Sequence, residues 1–305
     1  MADGTRAVVA LGGNALLTGD GGAEEQRAVV EETARTVADA VEAGYEVVVT
    51  HGNGPQVGAL MLQQESAPET PRMPLDVLVA ETQAQVGYVL QQALGNATGA
   101  PSATVVTQVV VDSDDPAFED PTKPVGPWYT AEEAREKPFE TRDVGEGARS
   151  HRRVVPSPQP RGVVESGEIG MLADEGVTVV CGGGGGVPVV RGDDGLRGVE
   201  AVVDKDRTSR LVAETVEAEL LVFLTDVEHA YVDYGDDDER PLLRVDADEL
   251  RAHLEAGEFG VGTMRPKVEA ALGFVESNEG AEAVITTPES FEDALDGEAG
   301  TRLRD

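Results

Sequence analysis

The stretch Ala7-Val-Val-Ala-Leu-Gly-Gly-Asn14 is a short apolar run, typical of a β-strand, that passes directly into two glycines and an asparagine. The same order recurs at Tyr45–Thr50, which is followed by His51-Gly-Asn-Gly-Pro55, and at Val177–Cys181, which is followed by Gly182–Gly186. Segments with apolar residues at helical spacing separate these strands. The alternation predicts an α/β fold in which helices cover a mainly parallel sheet.

The remaining elements extend this pattern along the chain. Further strands are predicted at Ala103–Val111, Leu220–Thr225 and Ala283–Thr286. Helices are predicted at Glu24–Ala43, Asp76–Leu94, Gly167–Glu175, Asp204–Ala218, Asp246–Ala256 and Thr263–Ser277. We interpret residues 1–305 as one domain, with the Pro- and acid-rich segment 112–160 as an inserted subdomain, or lid; the alternative is a long disordered loop. Glu289–Asp305 is polar and is predicted to be peripheral.

Composition excludes several classes of function. The 305 residues carry a formal net charge of −34, and 40% of them are hydrophobic, which is enough for a sizeable core. Such a negative chain would be repelled by nucleic acid. No apolar run reaches the length of a membrane span, no signal peptide is evident, and a single cysteine, Cys181, fits a cytoplasmic protein. The dispersed acidity favours adaptation to high salt over an acidic face for a partner.

Lysine is scarce in this chain. Only four of the 24 basic residues are lysines, namely Lys123, Lys137, Lys205 and Lys267. A compact ammonium suits a moving phosphoryl group, whereas the arginine fork is planar. The alternative is that the four are leftover surface residues, but the neighbours of Lys205 and Lys267 argue against it.

Glycine-rich loops follow three of the predicted strands, at Gly12-Gly-Asn14, Gly52-Asn-Gly54 and Gly182–Gly186. In a parallel sheet such loops meet at the carboxyl edge, where their amide groups can approach an anion. Each loop alone could be an ordinary turn, but three together favour a phosphate or acyl-phosphate site. Neither a P-loop nor a Rossmann dinucleotide motif is present.

Two helix starts carry the lysines of interest. In Val203-Asp-Lys-Asp206, Asp206 could orient lysines by hydrogen bonding, although an N-cap with a surface ion pair would give the same pattern. In Gly262-Thr-Met-Arg-Pro-Lys267, the lysine lies near a helix N-terminus, where a cation is unfavourable unless an anion binds there too.

The chain resembles the carbamate kinases of the amino acid kinase superfamily. Six segments carry the resemblance, in the family's order: Leu11-Gly-Gly-Asn-Ala15, Thr50-His-Gly-Asn-Gly-Pro-Gln-Val-Gly58, Pro121-Thr-Lys-Pro-Val-Gly-Pro-Trp-Tyr129, Arg152-Arg-Val-Val-Pro-Ser-Pro158, Val203-Asp-Lys-Asp206 and Gly262-Thr-Met-Arg-Pro-Lys267. The related acetylglutamate and uridylate kinases lack the Lys-Pro-Val-Gly-Pro insert.

The resemblance implies a three-layer αβα sandwich with a protruding subdomain over the active-site groove, and a homodimer. It also implies reversible phosphoryl transfer between carbamoyl phosphate and ADP, giving ATP and carbamate, in the presence of Mg²⁺ and as part of arginine deiminase-type catabolism. No protein residue is assigned to the metal.

The resemblance assigns roles to individual residues as well. It implies catalytic roles for Lys205, Asp206, Lys267 and the lid lysine Lys123. The implied substrate cradle comprises Gly12, Gly13, Asn14, Gly52, Asn53 and Gly54. The implied nucleotide site comprises Lys205, Lys267, Asp226, Tyr231 and, from the third glycine loop, Gly183 and Gly184. The four histidines receive no catalytic role, and His51 is expected to be structural.

Two other functions fit the same residues. A kinase of this fold could act on another small carboxylate or amino acid, and a panel of acyl phosphates would separate these substrates. A non-catalytic member could bind nucleotide for storage or regulation, but binding alone does not require Lys205, Asp206 and Lys267 together.

Overall fold

The computed structural model describes residues 4–13, 16, 22–67, 69–236, 238–260 and 264–305. The strands are β1 (Arg6–Leu11), β2 (Glu46–His51), β3 (Ser102–Thr104), β4 (Gln108–Val111), β5 (Lys123–Tyr129), β6 (Thr141–Asp143), β7 (His151–Val155), β8 (Pro160–Val163), β9 (Thr178–Cys181), β10 (Val187–Gly192), β11 (Gly195–Gly198), β12 (Leu220–Leu224), β13 (Ala230–Val232), β14 (Arg240–Leu242), β15 (Arg244–Asp246), β16 (Glu282–Thr286) and β17 (Thr301–Arg304). The helices are α1 (Ala23–Glu42), α2 (Gly54–Ser66), α3 (Leu75–Thr98), α4 (Ala131–Arg135), α5 (Ser166–Asp174), α6 (Lys205–Thr215), α7 (Ala247–Ala256), α8 (Met264–Ser277) and α9 (Phe291–Leu295).

An eight-stranded sheet forms the centre of the molecule, in the order β15-β17-β16-β12-β1-β2-β9-β3. The strands from β16 to β3 pair in parallel, and β17 joins β16 antiparallel. Residues of β1 alternate between two cores: Val8 and Ala10 face a core with α5, α6 and α8, whereas Ala7, Val9 and Leu11 face one with α1 and α3. The predicted α/β fold with three layers is confirmed.

The main strands end level at one edge of the sheet. Leu11 of β1 lies opposite His51 of β2 and Leu224 of β12, and Thr50 of β2 lies opposite Cys181 of β9. All three predicted glycine loops therefore leave the sheet at the same edge, as expected for parallel strands.

The predicted strand at Ala103–Val111 is two strands in two different sheets. β3 pairs with β9 in the main sheet, whereas β4 pairs with β10 and β8 in a second sheet of four strands. The chain changes sheet at the buried Thr107, whose backbone N–H and C=O both bond to the Gln83 side chain, at 2.8 and 3.1 Å. The Gln83 amide gives the buried Thr107 N–H its partner and adds a second donor to the Thr107 C=O, which also accepts from the backbone N–H of Val187 at 2.8 Å.

Within the predicted insertion 112–160, strands β5, β7 and β6 form a separate antiparallel sheet. Gly126 of β5 packs against α2, where a Cβ atom at this glycine would lie 2.8 Å from Cε of Met61. We call the segment 123–155 the lid sheet. Its role as a lid over the site remains a prediction.

The prediction that Glu289–Asp305 is peripheral is wrong. β17 pairs with β16 and β15, and Thr301, Arg302 and Leu303 are buried. The sequence did not indicate a strand here because the segment is polar. In the structure its arginines at alternate positions, Arg302 and Arg304, form ion pairs with Glu282 of β16. In the part of the chain that the structure describes, no helix has the length and apolarity needed to span a membrane.

We expect Leu303→Ala to lower the free energy of unfolding by about 2–5 kcal/mol, because Leu303 is only 2% exposed and belongs to the core with α5, α6 and α8. Leu243→Ala is the matched control; that residue is 57% exposed, and its loss should cost less than about 0.5 kcal/mol. Chemical denaturation of both variants measures the difference, and equal stabilities would contradict the core assignment of β17.

Candidate active site

One buried carboxylate joins two lysines from different helices. Asp206, in the first turn of α6, is 3% exposed. Its Oδ1 accepts from Nζ of Lys205 at 2.6 Å, and its Oδ2 accepts from Nζ of Lys267 at 3.2 Å. The two ammonium groups are therefore fixed side by side. The alternative of a surface ion pair does not fit, because the Asp206 carboxylate is buried.

The N-termini of α6 and α8 bring these lysines together. Asp204 is the N-cap of α6 and accepts from the backbone N–H of Asp206 at 3.0 Å, which sets the direction of the first turn. Pro266 lies in the first turn of α8, where the missing N–H costs no helical bond. Two lysines near two helix N-termini make a strongly electropositive point, which is suited to an anion.

Burial sets the charge state of Lys267. The residue is 7% exposed, and burial lowers the pKa of its ammonium below the ordinary value, with Lys205 acting in the same direction and the Asp206 carboxylate opposing it. Keeping Lys267 charged therefore costs free energy, and an anion bound beside it would stabilise the ammonium form.

Two cavities meet at this lysine pair. The first has a volume of about 320 Å³ and lies under the lid sheet; the second has a volume of about 610 Å³ and opens toward α1 and the end of β12. Lys205, Lys267 and Gly13 line both cavities. Volumes of this size suit small-molecule ligands. A group bound between the lysines would be accessible to ligands from either side.

The first cavity combines cations with apolar walls. Its polar lining includes Lys123 and Arg152 from the lid sheet and Asn53 from the second glycine loop, and its walls include Val57, Val79, Val125 and Val202. Nζ of Lys123 donates to Oδ2 of Asp204 at 2.9 Å, so the lid sheet is tied to the start of α6. Burial would raise the pKa of the Asp204 carboxyl, but the Lys123 ammonium and the Asp206 N–H hold it below its usual value.

Glycine is sterically required in the loops behind the cavity. Gly184 adopts φ +63°, and a Cβ atom there would lie 2.1 Å from the Asn53 amide. Asn53 itself donates to Oγ1 of Thr82 at 2.9 Å. At Gly12, a Cβ atom would lie 2.8 Å from the carbonyl oxygen of Leu224. Both close approaches lie at the cavity walls, since Gly184 lines the first cavity and Gly12 lines the second.

The structure brings most of the predicted site residues together. The first cavity is lined by Gly13, Gly52, Asn53, Gly54, Lys123, Gly184, Lys205, Asp206 and Lys267, and the second by Gly12, Gly13, Lys205, Asp226 and Lys267. Gly183 and Tyr231 line neither cavity; Gly183 packs on His51, and the Tyr231 ring packs on those of His229 and Tyr234. Asn14, Gly262 and Thr263 lie outside the described residues.

Sequence reasoning missed the wall that α1 gives to the second cavity and the contribution of Arg152 to the first. Glu32, Thr33 and Thr36 of α1 line the second cavity, but polar residues on a helix face carry no signal for ligand binding. Arg152 could have been suspected from its motif, which places an arginine pair within the lid sequence.

No set of three His, Cys, Asp or Glu side chains within the described ranges could hold a metal ion. Asp204 and Asp206 are already engaged by lysines, whereas the exposed Asp226 in the second cavity accepts a hydrogen bond from the neighbouring Thr225 hydroxyl at 3.1 Å. This arrangement fits an ion that arrives with a nucleotide and is held mainly by phosphate oxygens, as Mg²⁺ commonly is.

His51 is the last residue of β2 and lies beside the second glycine loop, a position that fits the structural role predicted for it. It is buried, its Nδ1 donates to the carbonyl oxygen of Gly52 at 2.7 Å, and burial lowers its pKa from 6.5 to about 4. A histidine that stays neutral down to this pH holds the loop by packing and one hydrogen bond.

We expect His51 to make the fold acid-sensitive. Between pH 6.5 and about 4 the unfolded chain binds a proton at this residue and the folded chain does not, so the free energy of unfolding should fall as the pH is lowered, by about 3 kcal/mol in total. Denaturation of the wild type and of His51→Gln across this range, at constant KCl, measures the effect. Parallel curves for the two proteins would contradict it.

Comparisons with known proteins agree with this geometry. The sequence model of the amino acid kinase family matches residues 5–287. A carbamate kinase from Halobacterium salinarum is 51% identical over 299 residues, which cover 97% of each chain, and carbamate kinase 2 from Enterococcus faecalis is 44% identical, covering 96% of this chain and 97% of that one. The solved carbamate kinase from Giardia lamblia bound to AMP-PNP matches with a TM-score of 0.93 at 41% identity, over the full length of both chains.

Proposed function

The chain belongs to the amino acid kinase family, where it groups with the carbamate kinases, and we propose that it transfers a phosphoryl group reversibly between carbamoyl phosphate and ADP. The products are ATP and carbamate, which breaks down to ammonia and carbon dioxide. One observation carries the proposal: Asp206 holds the ammonium groups of Lys205 and Lys267 where two cavities meet.

The two cavities suit the two substrates. Carbamoyl phosphate would occupy the smaller cavity under the lid sheet, with Lys123 above it and the loops at Gly13 and Gly52–Gly54 around it. ADP would occupy the larger cavity, with its terminal phosphate toward Gly12 and Gly13 and with Asp226 nearby. The relative bound to AMP-PNP, a nucleotide analogue, supports a nucleotide site in this fold.

Phosphoryl transfer requires positioning and charge neutralisation more than covalent help. A terminal oxygen of ADP attacks the phosphorus of carbamoyl phosphate, and the bond between that phosphorus and the carbamate oxygen breaks. Lys205 and Lys267 would donate hydrogen bonds to the oxygens of the transferring group, while Asp206 keeps both ammonium groups in place. Because carbamate leaves as an anion, no general base is required.

Mg²⁺ fits the proposed second substrate. When bound, the ion would supply positive charge to the phosphate oxygens of the nucleotide. Asp226 could hold it or its bound water, and Glu32 and Glu289 line the same cavity, whereas Asp204 and Asp206 are ion-paired with lysines.

The site must attract two anions to a protein of net charge −34. Three of the chain's four lysines line the first cavity, together with Arg152, whereas its acidic lining residues are Asp204 and Asp206. Local cations can reverse the potential in the groove, and salt would screen the repulsion from the distant surface.

The decisive experiment is a coupled assay of ATP formation from carbamoyl phosphate and Mg-ADP in molar KCl. A panel of other acyl phosphates tests whether the enzyme prefers a different small carboxylate. Nucleotide binding by calorimetry without turnover would instead indicate a non-catalytic binding protein.

We expect Lys205→Ala to lower kcat at least about 100-fold with little loss of stability, because it removes a cation from the transferring phosphoryl group. Lys137→Ala is the matched control: that lysine is also paired with a carboxylate, Glu65, at 2.6 Å, but lines neither cavity. Its kcat should stay near the wild-type value. If Lys205→Ala retains wild-type turnover, the role assigned to Lys205 is wrong.

Burial lowers the pKa of Lys267 below the ordinary value of 10.5, and the neutral amine cannot shield the phosphoryl group. We therefore expect kcat/KM to fall with rising pH, and to do so at a lower pH than the ordinary pKa of a lysine would give. Asp206→Asn should move this limb further toward neutral pH, since the carboxylate opposes the effect of burial. The pH profiles of kcat/KM for both proteins test this, and coincident alkaline limbs would contradict it.

The biological setting belongs to the same proposal. The reactivity of an acyl phosphate favours ATP formation, which fits arginine deiminase-type catabolism in the cytoplasm. The buried, unreactive Cys181, whose pKa burial raises to about 12, is compatible with that location. The dispersed acidity supports a salt-adapted source, and the family resemblance supports a homodimer.

A further inference from the structure

Arg152 differs from every other arginine of the chain. Each of the remaining arginines is either exposed or joined to an Asp or Glu by a salt bridge. Arg152 is partly buried, yet among the described residues it has no acidic partner, in a protein with 58 Asp and Glu residues. Leaving a partly buried guanidinium without a counter-ion is costly, which points to a missing anion.

The guanidinium of Arg152 is held in a fixed position. Its Nε and Nη2 donate to the carbonyl oxygen of Gly126, at 3.1 and 2.8 Å, and its Cζ lies 5.0 Å from the centre of the Trp128 ring. Both contacts lie within the lid sheet, since β7 pairs with β5. A guanidinium has five N–H groups, so this arrangement orients the fork and leaves donors for a ligand.

Arg152 also lines the first cavity, together with Lys123, Lys205 and Lys267. The compact ammonium groups of the lysine pair suit the phosphoryl group, whereas a planar fork matches a planar carboxylate. The carbamoyl group is planar, and its carbonyl oxygen becomes one of the two carboxylate oxygens when carbamate leaves.

We propose that Arg152 binds the acyl end of the substrate, donating hydrogen bonds to the carbonyl oxygen of carbamoyl phosphate and to the carboxylate of the departing carbamate. The inference rests on the proposed function, which it deepens by assigning the residue that recognises the carboxylate. Because negative charge grows on this group as the bond to phosphorus breaks, the interaction strengthens toward the transition state.

Arg152→Gln should lower kcat/KM for carbamoyl phosphate roughly 10- to 100-fold, as expected for a lost hydrogen bond to a charged group, while KM for ADP changes little. Arg152→Lys keeps the charge without the fork and should recover only part of the loss. The matched control is Arg153→Gln, the adjacent residue, which pairs with Glu200 at 2.6 Å and does not line this cavity. Circular dichroism checks that all three variants fold.

A binding measurement separates this inference from the proposed function. Trp128 is the single tryptophan of the chain and stacks on Arg152, so its fluorescence reports on an anion bound there. Carbamoyl phosphate and acetyl phosphate are titrated into the wild type, Arg152→Gln and Arg153→Gln without ADP, and calorimetry on the same samples gives the affinities.

Weaker binding by Arg152→Gln alone supports the inference, even if the wild type fails to make ATP and the proposed function falls. Equal affinities in the wild type and Arg152→Gln, or equal losses in the Arg152 and Arg153 variants, would overturn it.

Discussion

The carboxylate of Asp206 is the constraint on which the site depends, because it neutralises one of two ammonium groups that would otherwise repel each other. Lys205 and Lys267 lie in the first turns of different helices, and the ammonium group of each donates to one oxygen of this carboxylate. A buried carboxylate between the buried Lys267 and the partly buried Lys205 leaves a net positive charge at a fixed point. That point faces two cavities, so the same charge can serve a group in transit from one to the other.

The sheet places this charge where glycine loops converge. Parallel pairing in register brings the ends of β1, β2, β9 and β12 to one level, and the loops beyond them then contact one another. The close packing of Gly184 on Asn53 and of Gly12 on Leu224 leaves no room for side chains. Glycine is therefore required at both positions, and the loops converge beside the two cavities without adding charged side chains there.

The lid sheet completes the first cavity with residues from far along the chain. Lys123 pairs with Asp204 at the start of α6, and Arg152 is oriented by Gly126 and Trp128. The first contact ties the lid sheet to the start of α6, and Val125 and Val155 of the lid sheet also share an apolar cluster with α2 and α3.

The sequence by itself determined the α/β class, predicted three glycine loops at one edge and singled out the few lysines, because strand periodicity, glycine content and residue scarcity are local or countable. Only the tertiary structure decided that Thr107 switches sheets, that the polar strand Thr301–Arg304 is buried, and that Arg152 enters the cavity. Asp206 and Lys267 lie 61 positions apart. Such meetings depend on how helices and strands pack across the whole molecule, which no local pattern encodes.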